Sequence, residues 1–221
     1  MRGVKLLDFR SYRRMILDED LERAKKYMKS KVLDLGGGRR RGYFKEPNNA
    51  TWIVFDAEND FRPSVLGDAH YLPFKEFVFD CVKCTELLEH VENPGKIIKE
   101  ITRVLNHSGV LILSMPFNFP IHADPYDFQR FTDYKLKRML ENDFEIEIMK
   151  KQGLFFTVLG LMLKQAITNI KSRFKRILYL TFPLLDLFVK LDNLNLVKNS
   201  KYLSSFTTGF FVIARKVASH D

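Results

Sequence analysis

The pentad Glu86-Leu87-Leu88-Glu89-His90 packs two carboxylates and an imidazole into five residues of a 221-residue chain. They stand at i, i+3 and i+4, so a helix over this stretch puts all three on one face. Such a set binds a divalent ion, its oxygens favouring the harder ions. A bound ion in turn lowers the pKa of a coordinated hydroxyl. A fourth ligand is on offer in Phe119-Pro120-Ile121-His122-Ala123-Asp124-Pro125-Tyr126-Asp127, through His122 or Asp124. The same loop supports a metal-free alternative. There His122 is a general base with Asp124 or Asp127 fixing its tautomer, and His90 shapes the site or takes the proton itself. Arg130 pairs with Asp127 or with an acidic substrate.

These groups need a scaffold, and Lys31-Val32-Leu33-Asp34-Leu35-Gly36-Gly37-Gly38 supplies its centre. Three aliphatic residues among the first five read as a short buried parallel strand. The strand runs into glycines that let a ligand approach the backbone and tolerate a sharp exit. Asp56 closes the next apolar run, about 20 residues on, where a ribose-binding acid belongs in a doubly wound sheet. A dinucleotide fingerprint needs a third small residue, and that position falls on Arg41.

Further motifs follow in order: Leu66-Gly67-Asp68-Ala69-x-x-Leu72-Pro73-Phe74, Phe79-Asp80-x-Val82, Leu88-Glu89-His90-Val91 and Arg103-Val104-Leu105. With Asp34-x-Gly36-x-Gly38 they resemble the motif series of class I S-adenosylmethionine-dependent methyltransferases, over residues 31–145. The resemblance implies a Rossmann-like seven-stranded α/β sheet with an antiparallel last strand, and S-adenosylmethionine over the strand ends. It assigns Asp34, Gly36, Gly37 and Gly38 to the methionine part, and Asp56 to the ribose. Asp68 and the Ala69 amide go to the adenine, and Cys84 and Thr85 to the pocket wall. Asn106-His107-Ser108-Gly109 departs from the family's usual Pro-Gly-Gly turn. No Asn-Pro-Pro-Tyr-like segment follows the fourth strand, which argues against amine methylation. The pentad resembles the metal-carrying E-x-x-E-H of ubiquinone-pathway and small-RNA 2′-O-methyltransferases. Its Leu-Glu-His also resembles metal-free small-molecule methyltransferases.

Strands are expected at 31–35, 51–56, 65–69, 77–84, 110–115, 144–149 and 208–216. Residues 10–29 read as a helix over the sheet or the pocket mouth. Helices also begin at Glu86 and at Pro94, a favoured first-turn residue, and another spans 133–140. The crossover after Gly38 leaves room for a turn or two of helix, and the Arg39-Arg40-Arg41 run reads as a solvated face. Residues 116–132 are a long loop leaving the end of the fifth strand, where open α/β sheets place substrates. The domain reading is a helical extension (1–30), a methyltransferase core (31–151 and 204–217) and a helical cap (152–203).

Charge separates the core from the cap. The net charge is +9, yet residues 1–149 hold 24 Lys/Arg against 24 Asp/Glu. Residues 150–221 hold 12 Lys/Arg against Asp186, Asp192 and Asp221. A neutral catalytic body argues against nucleic acid as partner. A basic, apolar C-terminal third fits a membrane surface or an amphiphile. Taken as one helix, 163–178 aligns Leu163, Ile167, Ile170, Phe174, Ile177 and Leu178, with Lys164, Lys171 and Lys175 beside them. That describes an interfacial helix or a lid over the pocket. The uncharged runs 152–163 and 177–185 fall short of the ~18–20 residues a bilayer span needs. The first thirty residues are densely charged, without the apolar core of a signal peptide. Cys81 and Cys84, the only cysteines, face opposite sides of a strand and read as packing residues. A cytoplasmic chain is expected, with peripheral contact at the inner membrane face.

The expected function is methyl transfer from S-adenosylmethionine to a small or lipid-like acceptor, most simply at oxygen, with His122 or His90 taking the proton. Two alternatives stand beside it. One is a metal-assisted O-methyltransferase using Glu86, Glu89, His90 and His122. The other is a catalytically silent cofactor-binding partner docked to a membrane or protein.

Overall fold

A computed structural model describes residues 10–37, 43–171 and 175–217. The apolar runs assemble into one seven-stranded sheet in the order β3-β2-β1-β4-β5-β7-β6. Its strands are β1 (Ser30–Leu35), β2 (Ala50–Asp56), β3 (Val65–Leu66), β4 (Phe79–Thr85), β5 (Leu105–Pro116), β6 (Phe144–Lys151) and β7 (Gly209–Lys216). β1 to β5 pair in parallel, and β7 runs antiparallel to both β5 and β6. The expected α/β sheet with its antiparallel last strand is therefore present. The order reverses between β1 and β4, which opens a crevice at their C-terminal ends.

Each face of the sheet has its own apolar layer. On one, α2 (Pro94–Val104) buries Ile97, Ile98, Ile101 and Val104, and α3 (Asp133–Leu140) buries Leu136 and Leu140. Pro94 stands in the first turn, where it forfeits no helical hydrogen bond, and Asn93 caps Lys96 N–H. On the other face, α1 (Tyr12–Ala24) lays Leu17, Leu21 and Ala24 over Val32, Cys81 and Ile112. The helix expected over residues 10–29 is thus in place. β3 is two residues long rather than five. Asp68 accepts from His70 N–H at 2.9 Å, and that local bond turns the chain out of the strand. Residues 43–49 are non-helical, and the Arg39-Arg40-Arg41 run lies outside the described residues.

Between β6 and β7 the chain forms α4 (Phe155–Asn169), α5 (Lys175–Leu178), α6 (Phe182–Phe188) and α7 (Asn195–Asn199). The single helix expected over 163–178 does not form: Ile170 is extended (φ −63°, ψ 131°), and α4 stops before it. Residues 172–174, Phe174 among them, lie outside the described residues. Lys164 does not join a solvated lysine cluster. It is buried, with its ammonium 4.6 Å from the Tyr12 ring and 5.1 Å from the Phe182 ring, within cation–π range.

Asp192 ties this insertion together. Its carboxylate accepts the backbone N–H groups of Leu154, Phe156 and Thr157 at 2.7–3.0 Å, capping α4 from 35 or more residues away. Asp192→Ala leaves three N–H groups without this acceptor and is expected to lower the unfolding free energy by about 2 kcal/mol. Urea denaturation followed by circular dichroism measures it. An unchanged midpoint would mean that α4 does not depend on this cap.

Candidate active site

A cavity of about 950 Å³ opens at the crevice, within the range of small-molecule sites. Asp34, Gly36, Gly37, Asp56, Asp68, Ala69 and Thr85, all expected at the site, line it. Gly38 lies outside the described residues. Gly36 has φ +74°, a conformation that L side chains rarely adopt. Gly37 is constrained from within: a Cβ there would lie 2.2 Å from Asp34 Cγ. Asp56 stands at the tip of β2, with Oδ1 accepting from Glu58 N–H at 3.0 Å. Asp68 is held below the usual carboxylate range, first by the His70 backbone N–H.

Cys84 is not at the site. It is fully buried in the α2/α3 layer, and burial pushes its thiol well up. Neighbouring strand residues face opposite sides, so Thr85 reaches the cavity and Cys84 does not. Lys83, which the motif series did not single out, lines the cavity. Its ammonium donates to Asp34 Oδ1 at 2.5 Å, and the two residues face each other in β1–β4 register. The available signal was a lone lysine inside an apolar strand, since a buried charge demands a partner.

Glu86 does not begin a helix. Its φ of +57° turns the chain at the end of β4, and only Leu88–His90 forms a 3-10 turn. Its carboxylate faces α1 instead, accepting from Ser114 Oγ at 2.6 Å and pairing with Arg13. Arg13 is buried and also donates to Gln152 Oε1. With Arg10, Arg14 and Leu17 it makes α1 a wall of the cavity. No described residue of the 152–203 insertion lines it, and α1 forms the wall on that side.

The loop between β5 and α3 clamps onto the 3-10 turn, Phe128 N–H donating to Glu89 O and Gln129 Nε2 to Leu88 O and Val91 O. This brings the His90 and His122 rings to 4.9 Å. His90 Nδ1 lies 2.5 Å from Tyr126 O, and a carbonyl only accepts, so Nδ1 carries the proton and Nε2 is the basic nitrogen. His122 Nδ1 lies 3.2 Å from Pro120 O and 3.3 Å from Asp127 Oδ2, which fixes the same tautomer. Arg130 grips Asp127 through both terminal nitrogens, and its side-chain bonds hold that carboxyl down at about 2. Of the two partners expected for Arg130, the structure shows Asp127. Burial pushes the His122 imidazole below 6.5, against the pull of Asp127.

Glu89, His90 and His122 offer ligand atoms within 4.8 Å of one another. Glu86 is not in that set. Both Glu89 carboxylate oxygens are buried without a hydrogen-bond partner, and burial first, then Glu86, raises its pKa to about 8.

Comparison with known proteins agrees with this architecture. Residues 46–113 match the model of a methyltransferase domain. A 51-residue stretch is 37% identical to an uncharacterized 37.1 kDa protein in a transposon of Streptomyces fradiae, making up 23% of this chain and 15% of that protein. The chain thus spans far less than two thirds of that relative. An uncharacterized protein of Methanocaldococcus jannaschii is 28% identical over 149 residues, covering 63% of this chain and 72% of its own. Among solved structures, the [4+2]-cyclase SpnF superposes with a TM-score of 0.60 at 15% identity, covering 96% of this chain and 86% of its own. An S-adenosylmethionine-dependent methyltransferase from Archaeoglobus fulgidus gives 0.53 at 18% identity, covering 92% and 94%. Residues 46–113 are thus similar to a methyltransferase domain, and the whole chain shares the fold of solved S-adenosylmethionine-dependent methyltransferases.

Glu89 links the site to stability. Burial raises its pKa to about 8 in the folded chain, against the 4.5 of an exposed glutamate. Folding therefore loses stability as pH rises through that window. Glu89→Gln removes the penalty, so with a chelator present its melting temperature should gain on the parent steadily from pH 5 to pH 8. A constant difference would place the ionised carboxylate in contact with water or a counter-charge.

Proposed function

We propose that this chain transfers a methyl group from S-adenosylmethionine to an oxygen of a small or amphiphilic acceptor, with His122 as general base. The observation that carries this reading is the pair of imidazoles at the cavity wall, both with Nδ1 turned to carbonyl oxygens. The residues fit the cofactor. Gly36 and Gly37 give bare backbone beside the Asp34–Lys83 pair, Asp56 offers a carboxylate to a diol, and Asp68 with Ala69 offers acceptor and donor to a purine edge. When bound, the sulfonium supplies an electrophilic methyl and a thioether leaving group. The chain then has to align the acceptor and keep the site dry. His122 Nε2 takes the acceptor's proton as the O–C bond forms, and Asp127 stabilises the imidazolium.

A catalytic role for His122 predicts that kcat/KM falls as pH drops through a pKa below 6.5. Asp127→Asn shifts that limb to lower pH, because the carboxylate raises the imidazole's pKa. His122→Ala lowers kcat/KM about a hundredfold or more while calorimetric S-adenosylhomocysteine binding persists. Product S-adenosylhomocysteine from phenolic, sugar and lipid acceptors is the readout. Full turnover by His122→Ala would remove the residue from the chemistry. No product from any acceptor would favour a silent cofactor-binding partner.

Glu89, whose buried oxygens lack a hydrogen-bond partner and whose Oε1 lies 3.6 Å from His90 Nε2, supports a second reading, in which Glu89, His90 and His122 hold a divalent ion that orients the acceptor oxygen. Calorimetric titration with Mn²⁺ and Zn²⁺ separates the two. Binding heat that vanishes in Glu89→Ala supports the metal, and no heat leaves His122 as base.

A further inference from the structure

The chain is helical from Lys175 to Asn193, through α5, α6 and the 3-10 turns around them. One stripe of this run already has its partners. Phe182 is buried, Asp186 accepts from Tyr12 Oη at 2.7 Å, and Val189 packs where Gly160 has no side chain. A second stripe, Ile177, Leu180, Leu184 and Leu187, recurs three and four apart and is 61–73% exposed. A helix needs one apolar face to dock on its own core. This run has two, and the second faces water.

The charges around that stripe have one sign. Arg176 and Lys190 are exposed beside it, as are Lys171 and Lys198. The segment 152–203 holds two acids, Asp186 and Asp192. Both are turned inward, one to Tyr12 and the other to the start of α4. The segment also carries eleven of the 21 large apolar side chains exposed among the described residues, so the face is a concentration and not a scatter. A second copy on the same face would set like charges against each other. No described helix is long and apolar enough to cross a membrane.

We propose that the outer face of residues 175–193 docks on an anionic lipid bilayer, lying in the interface with Leu180 and Leu184 among the acyl chains and Arg176 and Lys190 at the headgroups. An apolar helical stripe with basic flanks binds such a surface by buried area plus charge. Each basic residue near an anionic leaflet contributes about fivefold to partitioning. The insertion then serves as a foot for the catalytic body, separate from the cavity wall that α1 provides.

Vesicle flotation of the full chain tests this, with phosphatidylcholine alone and with about one third phosphatidylglycerol. The expected result is at least about fivefold more bound protein on the anionic vesicles. Leu180→Asp with Leu184→Asp should abolish flotation, and Arg176→Glu with Lys190→Glu should remove the preference for anionic lipid. All four side chains are exposed, so circular dichroism and S-adenosylhomocysteine binding should stay at parent values. That separates this proposal from the methyl-transfer reading. Equal flotation on both vesicles, or flotation indifferent to the leucine pair, overturns it. So does light scattering that shows a dimer dissolved by the leucine pair without vesicle binding.

Discussion

The open end of the sheet depends on the pairing of Asp34 with Lys83 across the point where the strand order reverses. Both side chains are buried and meet at 2.5 Å; removing either partner of such a pair costs about 3–5 kcal/mol. Gly37 makes room for the pair, since any side chain there overlaps the Asp34 carboxylate. The glycine turn therefore has two duties. It bares backbone toward the cavity, and it frees the volume that lets an acid sit at the tip of β1.

A second layer of organisation runs through α1. Its inner face covers the sheet with Leu17, Leu21 and Ala24, while Arg13 reaches Glu86 and Gln152 and closes one side of the cavity. The insertion packs outside it, through Tyr12 against Asp186 and the Lys164 ammonium. Sheet, α1 and insertion are thus stacked in that order. His90 and His122 stand in the turns beyond β4 and β5, and the basic apolar surface belongs to the insertion.

Much of this was legible in the residues. Asp56 and Asp68 stand at strand ends whose apolar runs announce themselves, and Pro94 marks the start of α2 without ambiguity. Where the reading failed, it had assumed a backbone. Glu86, Glu89 and His90 share a face only on a helix, and the left-handed turn at Glu86 sends its carboxylate to Arg13. Cys84 and Thr85 were both assigned to the pocket although a strand can turn only one of them inward. The stripe over 163–178 presumed that α4 continues through Ile170. Lys83 and Arg13 left little trace in local pattern, because their partners lie 49 and 73 residues away.

The central claim is that S-adenosylmethionine lies against Gly36 and Gly37, over the Asp34–Lys83 pair. Calorimetric titration of S-adenosylhomocysteine into the parent chain and into Gly37→Ala tests it most directly. The account predicts saturable one-to-one binding by the parent, and its loss in a Gly37→Ala chain that remains folded by circular dichroism. Equal affinity in both chains, or no binding by the parent alongside binding of a pyridine dinucleotide, would contradict it.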